Sequence, residues 1–263
     1  MLKVKRYFRR YLAAILAAVF VIASLPLTSF NVSAADTEGT CGDNLAWSYD
    51  ADTTTLTITG YGDMTGWSKT KAPWYSYRAE ITTVVLDCTD EEAGIGLGKY
   101  AFSGCSEITG MDLSDVTSIG NYTFYNCSGI VSLDISNVTS IDEYAFSGCS
   151  SLTEMTIPEA ITTVSEGMFQ NCTGLEKVIF LGTVTEIDNI AFYNCTSLTT
   201  IVWAEDDTST GVTIPASVET MGTQAFYSCT SLESVEFEGT SVSFTTATKK
   251  KYGQFYDCTL LRA

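Results

Sequence analysis

Two aspartates and nine cysteines are the residues whose types and spacing suggest chemistry in this 263-residue chain. Asp112 and Asp134 fall at equivalent places in adjacent copies of a repeat, which would bring their carboxylates within about 5–6 Å. Retaining glycosidases use paired carboxylates at roughly that separation. Repeats place like residues side by side by default, however, and no nearby segment supplies a substrate pocket. A solvated acidic face and contact with Ca²⁺ or a basic ligand are the competing readings. The chain contains no histidine, so Ser-His-Asp and Cys-His sites are excluded, as are metal sites built on imidazole. No P-loop, dinucleotide-binding glycine pattern or CxxC pair is present. The Gly-x-Gly at Gly96–Gly98 continues as Lys99-Tyr100-Ala101, without a third glycine in phase. The expectation is a non-enzyme, and no cofactor or metal is implied.

The elements that must position these residues are set by a repeat. Phe-x-x-Cys, preceded by Ala or Met in five of seven copies, recurs at Phe102/Cys105, Phe124/Cys127, Phe146/Cys149, Phe169/Cys172, Phe192/Cys195, Phe226/Cys229 and Phe255/Cys258. Successive cysteines lie 22, 22, 23, 23, 34 and 29 residues apart. A period in the low twenties marks a solenoid, in which each unit buries its apolar face only by stacking on its neighbours. After each cysteine comes a period-two strand pattern, as in Leu152-x-x-Met155-x-Ile157. It recurs at Ile108-x-x-Met111-x-Leu113, Ile130-x-x-Leu133-x-Ile135, Leu175-x-x-Val178-x-Phe180, Leu198-x-x-Ile201-x-Trp203 and Leu232-x-x-Val235-x-Phe237. The spacing of Ala145, Phe146 and Cys149 predicts one inward-facing helical turn per unit.

The pattern I-[GD]-x-x-[AT]-F-x-x-C-[ST]-x-L-x-x-I-x-I-P, plainest from Ile141 to Pro158, resembles the BspA-type leucine-rich repeat of bacterial surface proteins. The resemblance covers about residues 81–263, and seven copies agree on its phase. Residues 41–80 look like the segment that often precedes such repeats. The resemblance implies an α/β solenoid, a leucine-rich-repeat array of about seven to eight rungs with a small β-rich N-terminal cap. It also implies a surface protein engaged in adhesion to host or microbial proteins. Two features depart from the pattern. The usual asparagine ladder is missing, with Ala160 in its place, and the unit after Cys195 carries roughly eleven extra residues.

Residues 1–34 read as a signal peptide: a basic start (Lys3, Lys5, Arg6, Arg9, Arg10), an apolar stretch from Leu12 to Leu25, and Val32-Ser33-Ala34 as a cleavage site. The apolar run is too short to favour a membrane anchor, so the expected location is secreted or cell-surface. Of 14 basic and 31 acidic residues, five basic and no acidic ones precede Ala35, leaving 9 against 31 and a net charge of −22. That field disfavours nucleic acid and anionic membranes. It serves solubility in one reading and attraction of basic protein patches or Ca²⁺ in the other.

Nine cysteines in an exported chain normally suggest a disulfide framework. Seven of them instead hold one equivalent position per rung, as small hydrophobes in a buried stack would. Stacking would leave neighbouring Cα atoms within bonding range, so pairing is not excluded by distance. Cys41 and Cys88 lie outside the ladder and are the more natural pair.

The expected domains are a leader over 1–34, a cap over 35–80 and repeats over 81–263, the last repeat incomplete. In the cap, Leu45–Tyr49 and Thr54–Thr59 read as a hairpin. Trp47, Trp67 and Trp74 supply either the cover for the first rung's apolar end or an aromatic platform for glycan. On the outward strand positions most rungs carry polar residues, whereas Ile179, Leu181 and Val202 are apolar, with Lys177 alongside. Such a patch implies either a protein partner or cover by the insertion Ala204–Gly211. Lys177, Ile179, Leu181, Val202, Asp112 and Asp134 are therefore the candidate binding residues. An extracellular protein ligand is the expected partner, with a glycan- or cell-wall-binding module as the alternative.

Overall fold

The computed structural model describes residues 36–90, 92–204, 210–239, 242–245 and 253–261. The leader expected over 1–34 and most of the insertion, 205–209, lie outside them. In chain order the described strands are β1 (Glu38–Thr40), β2 (Leu45–Asp50), β3 (Thr55–Gly60), β4 (Gly62–Asp63), β5 (Thr83–Cys88), β6 (Ile95–Leu97), β7 (Val116–Ile119), β8 (Ser140–Ile141) and β9 (Glu154–Ile157). They continue as β10 (Thr163–Val164), β11 (Lys177–Phe180), β12 (Glu186–Ile187), β13 (Thr200–Val202), β14 (Val212–Ile214), β15 (Thr220–Met221), β16 (Val235–Phe237) and β17 (Ser243–Phe244). Among the described residues the helical content is one short 3₁₀ segment, Tyr75–Tyr77. The fold is thus a repeat solenoid built almost wholly of strands and turns, and the expected α component is corrected.

The reason lies in where the backbone N–H groups go. In the segment around Phe124, Thr123 N, Tyr125 N and Cys127 N donate to the carbonyls of Gly120, Tyr122 and Phe124 within their own rung. The alternate groups, Tyr122 N, Phe124 N and Asn126 N, donate instead to Glu143, Ala145 and Ser147 of the next rung, at 2.8–3.0 Å. An α-helix would keep every donor inside the segment. Here half of them bind the neighbouring rung, which requires a left-handed residue every fourth position. Tyr122/Asn126, Tyr144/Gly148, Gly167/Asn171 and Ile190/Asn194 all have φ between 49° and 81°. A non-glycine residue in that region costs about 1–2 kcal/mol, and the inter-rung bonds offset it.

Two columns run through the core. The rings of Phe102, Phe124, Phe146, Phe169, Phe192, Phe226 and Phe255 stack at centroid separations of 5.0–5.7 Å, with planes within 4–13° of parallel. The ladder cysteines form the second column, and from Cys127 onward the thiol donates to the phenylalanine carbonyl of the rung before. Cys127 reaches Phe102 O, Cys149 reaches Phe124 O, Cys172 reaches Phe146 O and Cys195 reaches Phe169 O, at 2.9–3.3 Å. All nine cysteines are free thiols, Cys41 and Cys88 included, so the suggested pairing of those two is not formed. Burial pushes the Cys105 and Cys172 thiols up to about 12, because a desolvated thiolate is disfavoured.

At the N-terminal end β2 and β3 form the expected hairpin, with β5 added parallel to β3. Trp74 is fully buried, lies over Phe102 at 6.1 Å and donates Nε1–H to Ala101 O at 2.7 Å. Trp47 and Trp67 meet it edge-on at 5.7 and 5.3 Å.

The strand face is not continuous. Its five-stranded sheet runs β16-β14-β13-β11-β9 and ends there. The two preceding rungs, read from alternation as strands ending in Leu113 and Ile135, are turns. Asp112 Oδ1 accepts from Ser114 N at 2.9 Å, and Asp134 Oδ1 accepts from Ser136 N at 3.0 Å. An aspartate capping its own backbone two residues on competes with a sheet ladder. These rungs are also one residue shorter, turning through Leu113 O to Val116 N and Ile135 O to Val138 N, where the longer rung turns at Pro158 O to Ile161 N.

The extra residues after Cys195 form an additional strand. Between Cys195 and Cys229 lie both β13 and β14, paired at Ile201 and Val212, whereas β12 pairs directly with β15 on the other face. Phe192 and Phe226 remain 5.0 Å apart. The insertion therefore widens the strand face by one strand without lengthening the aromatic column.

Candidate binding face

The site is built where the strand sheet stops. Short Asp-turn rungs lie on one side of β9 and longer Pro-turn rungs on the other, and the mismatch leaves a groove of about 930 Å³. Its floor is the turn from Ser132 to Thr139, with Glu154 and Thr156 of β9 beside it. Pro158, Glu159, Ala160 and Leu181 form the other wall. Leu181 is 37% exposed, and Val131, which precedes the floor segment, is 47% exposed. Among the described residues every charged one lining the groove (Asp134, Glu154 and Glu159) is acidic.

The six residues marked in the sequence divide. Asp134 and Leu181 come together in this groove. Lys177, in register with Glu154, holds its Nζ 4.0 Å from that carboxylate at the groove's margin. Ile179 and Val202 are register partners on β11 and β13 as the alternation implies, yet they are 5% and 0% exposed. The exposed patch expected at these two positions is corrected: both are buried, outside the main apolar cluster. Cover by the insertion falls largely on 205–209, outside the described residues. Asp112 caps a turn one rung before the groove and does not line it. Neither aspartate stands on a strand. Each holds a carboxylate oxygen on a backbone amide, which is a turn-forming role. Among the described residues no group of three or more acidic, cysteine or histidine side chains is arranged to hold a metal.

Sequence reasoning missed Glu154, Glu159, Pro158 and Ala160. The available signal was the change in cysteine spacing from 22 to 23 between the second and third intervals, which marks the step in the surface.

It also missed two tyrosine ladders on the turn face. Tyr100, Tyr122 and Tyr144 stack at 4.6–4.7 Å with planes within 9°. Tyr193, Tyr227 and Tyr256 stack at 4.7 and 5.4 Å. The first ladder ends where the Tyr144 ring packs over Gly167, at the closest approach a glycine permits. The Tyr144 hydroxyl donates to Glu166, and burial with that carboxylate pushes its pKa up. In each ladder the middle ring, Tyr122 or Tyr227, is stacked on both faces.

Comparisons with known proteins agree with this geometry. The BspA type Leucine rich repeat region profile matches residues 80–201 and 202–262 in six copies. No curated protein sequence matches the chain significantly. A leucine rich cell surface protein from Faecalibacterium prausnitzii A2-165 superposes with a TM-score of 0.54 at 26% identity, over 80% of this chain and 56% of that one. A leucine-rich repeat protein from Eubacterium ventriosum gives 0.53 at 18% identity, over 86% and 77%. A leucine-rich repeat protein from T. pallidum gives 0.51 at 18% identity, over 71% and 86%. The chain thus spans little more than half the length of the F. prausnitzii protein. Among the described residues no helix is long and apolar enough to cross a membrane. Six repeat copies over most of the length, stacked through one phenylalanine and one cysteine per rung, make this chain a member of the BspA-type leucine-rich repeat family.

Proposed function

We propose that this chain is an exported, surface-exposed, non-enzymatic binding protein whose repeats engage an extracellular protein of a host or a neighbouring microbe. Residues 1–34 direct export, and residues 35–80 close the N-terminal end of the array. The observation that carries the reading is the open, acidic and partly apolar groove beside β9, which offers area to a protein surface. Family membership and the cell-surface description of the F. prausnitzii protein support the location. The working residues are Asp134, Leu181 and Lys177 at the groove. Ile179 and Val202 hold the sheet beneath, and Asp112 shapes the adjoining rung. The glycan reading relied on the tryptophans of residues 35–80. Trp47 and Trp74 are buried against one another and against the phenylalanine column, which favours a packing role for them.

An array of extracellular proteins and glycans, probed with the whole exported chain, tests the proposal. Retention on protein spots is expected. Retention confined to glycans, or turnover of any of them, would overturn it.

A further inference from the structure

From the charge and shape of the groove we infer that it takes an extended, basic segment of a partner protein, an inference that rests on the protein-binding reading above. Three features of the groove point there. The sheet ends at β9, and the rung before it turns away instead of adding a strand. That leaves a trough beside the final strand rather than a flat face, and its roughly 930 Å³ is near the upper end of cavities that enclose a compact ligand. The trough also has a mixed lining. Asp134, Glu154 and Glu159 bring carboxylates to it, Glu154 with Lys177 at 4.0 Å, and Pro158, Ala160 and Leu181 bring apolar surface.

An extended chain projects alternate side chains in opposite directions. A partner alternating arginine or lysine with aliphatic residues therefore offers both kinds of side chain to a lining that holds both carboxylates and apolar surface. Finally, the direction of the floor carboxylate is fixed beforehand. Asp134 Oδ1 is held by Ser136 N at 3.0 Å, so the group need not be ordered when a guanidinium arrives. The surrounding net negative charge of the exported chain adds long-range attraction for a cationic segment and repels an acidic one.

A fluorescent peptide of alternating leucine and arginine is the probe, with alternating leucine–glutamate and serine–arginine peptides as comparisons. Anisotropy with the whole chain should show binding of the first peptide that weakens as salt is raised, no binding of the second, and weaker binding of the third. Asp134→Asn keeps an oxygen for the Ser136 amide, so the turn survives while the charge is lost. It should weaken binding about fivefold. Leu181→Ser should weaken it about tenfold. Glu236→Gln, on the far strand of the same sheet, should leave it unchanged. Failure of the leucine–arginine peptide to bind would overturn the inference, as would equal binding of the leucine–glutamate peptide or indifference to both groove variants. If the chain nevertheless stays on protein spots of the array, the groove assignment alone is lost and the protein-binding reading stands.

Discussion

The thiol of Cys149 donates to the carbonyl of Phe124, one rung back, at 3.3 Å, and the relationship repeats along the array. The column is therefore not merely small and apolar. From Cys127 onward each ladder cysteine adds a second hydrogen bond to a phenylalanine carbonyl that already accepts an amide of its own rung, which a weak S–H donor can do without bringing in a strongly polar group. Replacing Cys149 with alanine should cost about 1–2 kcal/mol, since it empties the space of a buried sulfur and removes one of the two hydrogen bonds on the Phe124 carbonyl, which keeps the Cys127 amide. Replacing Phe146, whose ring is stacked on both faces, should cost about 3–5 kcal/mol. Chemical denaturation of the two variants checks the order; a cysteine variant that is the more destabilised would contradict it.

The buried thiols also set an alkaline limit. Their ordinary value is 9.0, and burial raises Cys105 and Cys172 to about 12. The folded state thus holds protons that the unfolded state releases between those limits. Stability from these groups is present in full below about pH 9 and is lost as pH climbs toward about 12, by up to about 1.4 kcal/mol per pH unit per thiol. Urea midpoints should hold steady from neutral pH to about 9 and then fall steeply. A flat profile across that interval would mean the thiols are not shielded.

Gly167 ends the first tyrosine ladder. It sits at φ +60°, and a methyl group there would run into the Tyr144 ring. Gly167→Ala should destabilise by about 1–2 kcal/mol from the backbone alone, and by more because the ring is displaced. Combined with Tyr144→Ala, the added cost of Gly167→Ala should shrink to the backbone part. Equal costs in the two backgrounds would show that the ring does not press on the glycine.

Trp203 ties the extra strand to the array. Its ring stacks on Phe180 at 4.8 Å, and its Nε1–H donates to Thr213 O at 2.5 Å. Trp203→Ala should cost about 2–4 kcal/mol. The amides of β14 should exchange faster while those near Phe192 and Phe226 keep their protection. Uniform acceleration along the whole array would argue that the extra strand is not a separable addition.

Much of this could be read in advance, and the exceptions have identifiable physical causes. The phenylalanine and cysteine columns were legible because stacking imposes one chemical requirement at one phase of every rung. The turn conformation was not, because Tyr122, Tyr144 and Ile190 have no intrinsic preference for positive φ and adopt it through bonds to the next rung. Alternation put Ile179 and Val202 at equivalent strand positions, which their register bears out, but burial depends on what covers a position, which alternation does not encode. At Asp112 and Asp134 the same alternation suggested strands, and the short Asp-x-Ser turn prevailed over it. Leu181 and Asp134 were each singled out; that they share a groove follows from a one-residue difference in rung length on which the sequence reading drew no conclusion.

The central claim is that the groove beside β9 is where a protein partner sits. Hydrogen exchange of the whole chain, free and bound to an extracellular protein selected on the array, tests it directly. The account predicts slowed exchange confined to residues 132–139 and 154–160 and the Leu181 amide, with the tyrosine face and residues 36–80 unchanged. Protection on the tyrosine ladders or around Trp47 and Trp67, with none at the groove, would contradict it.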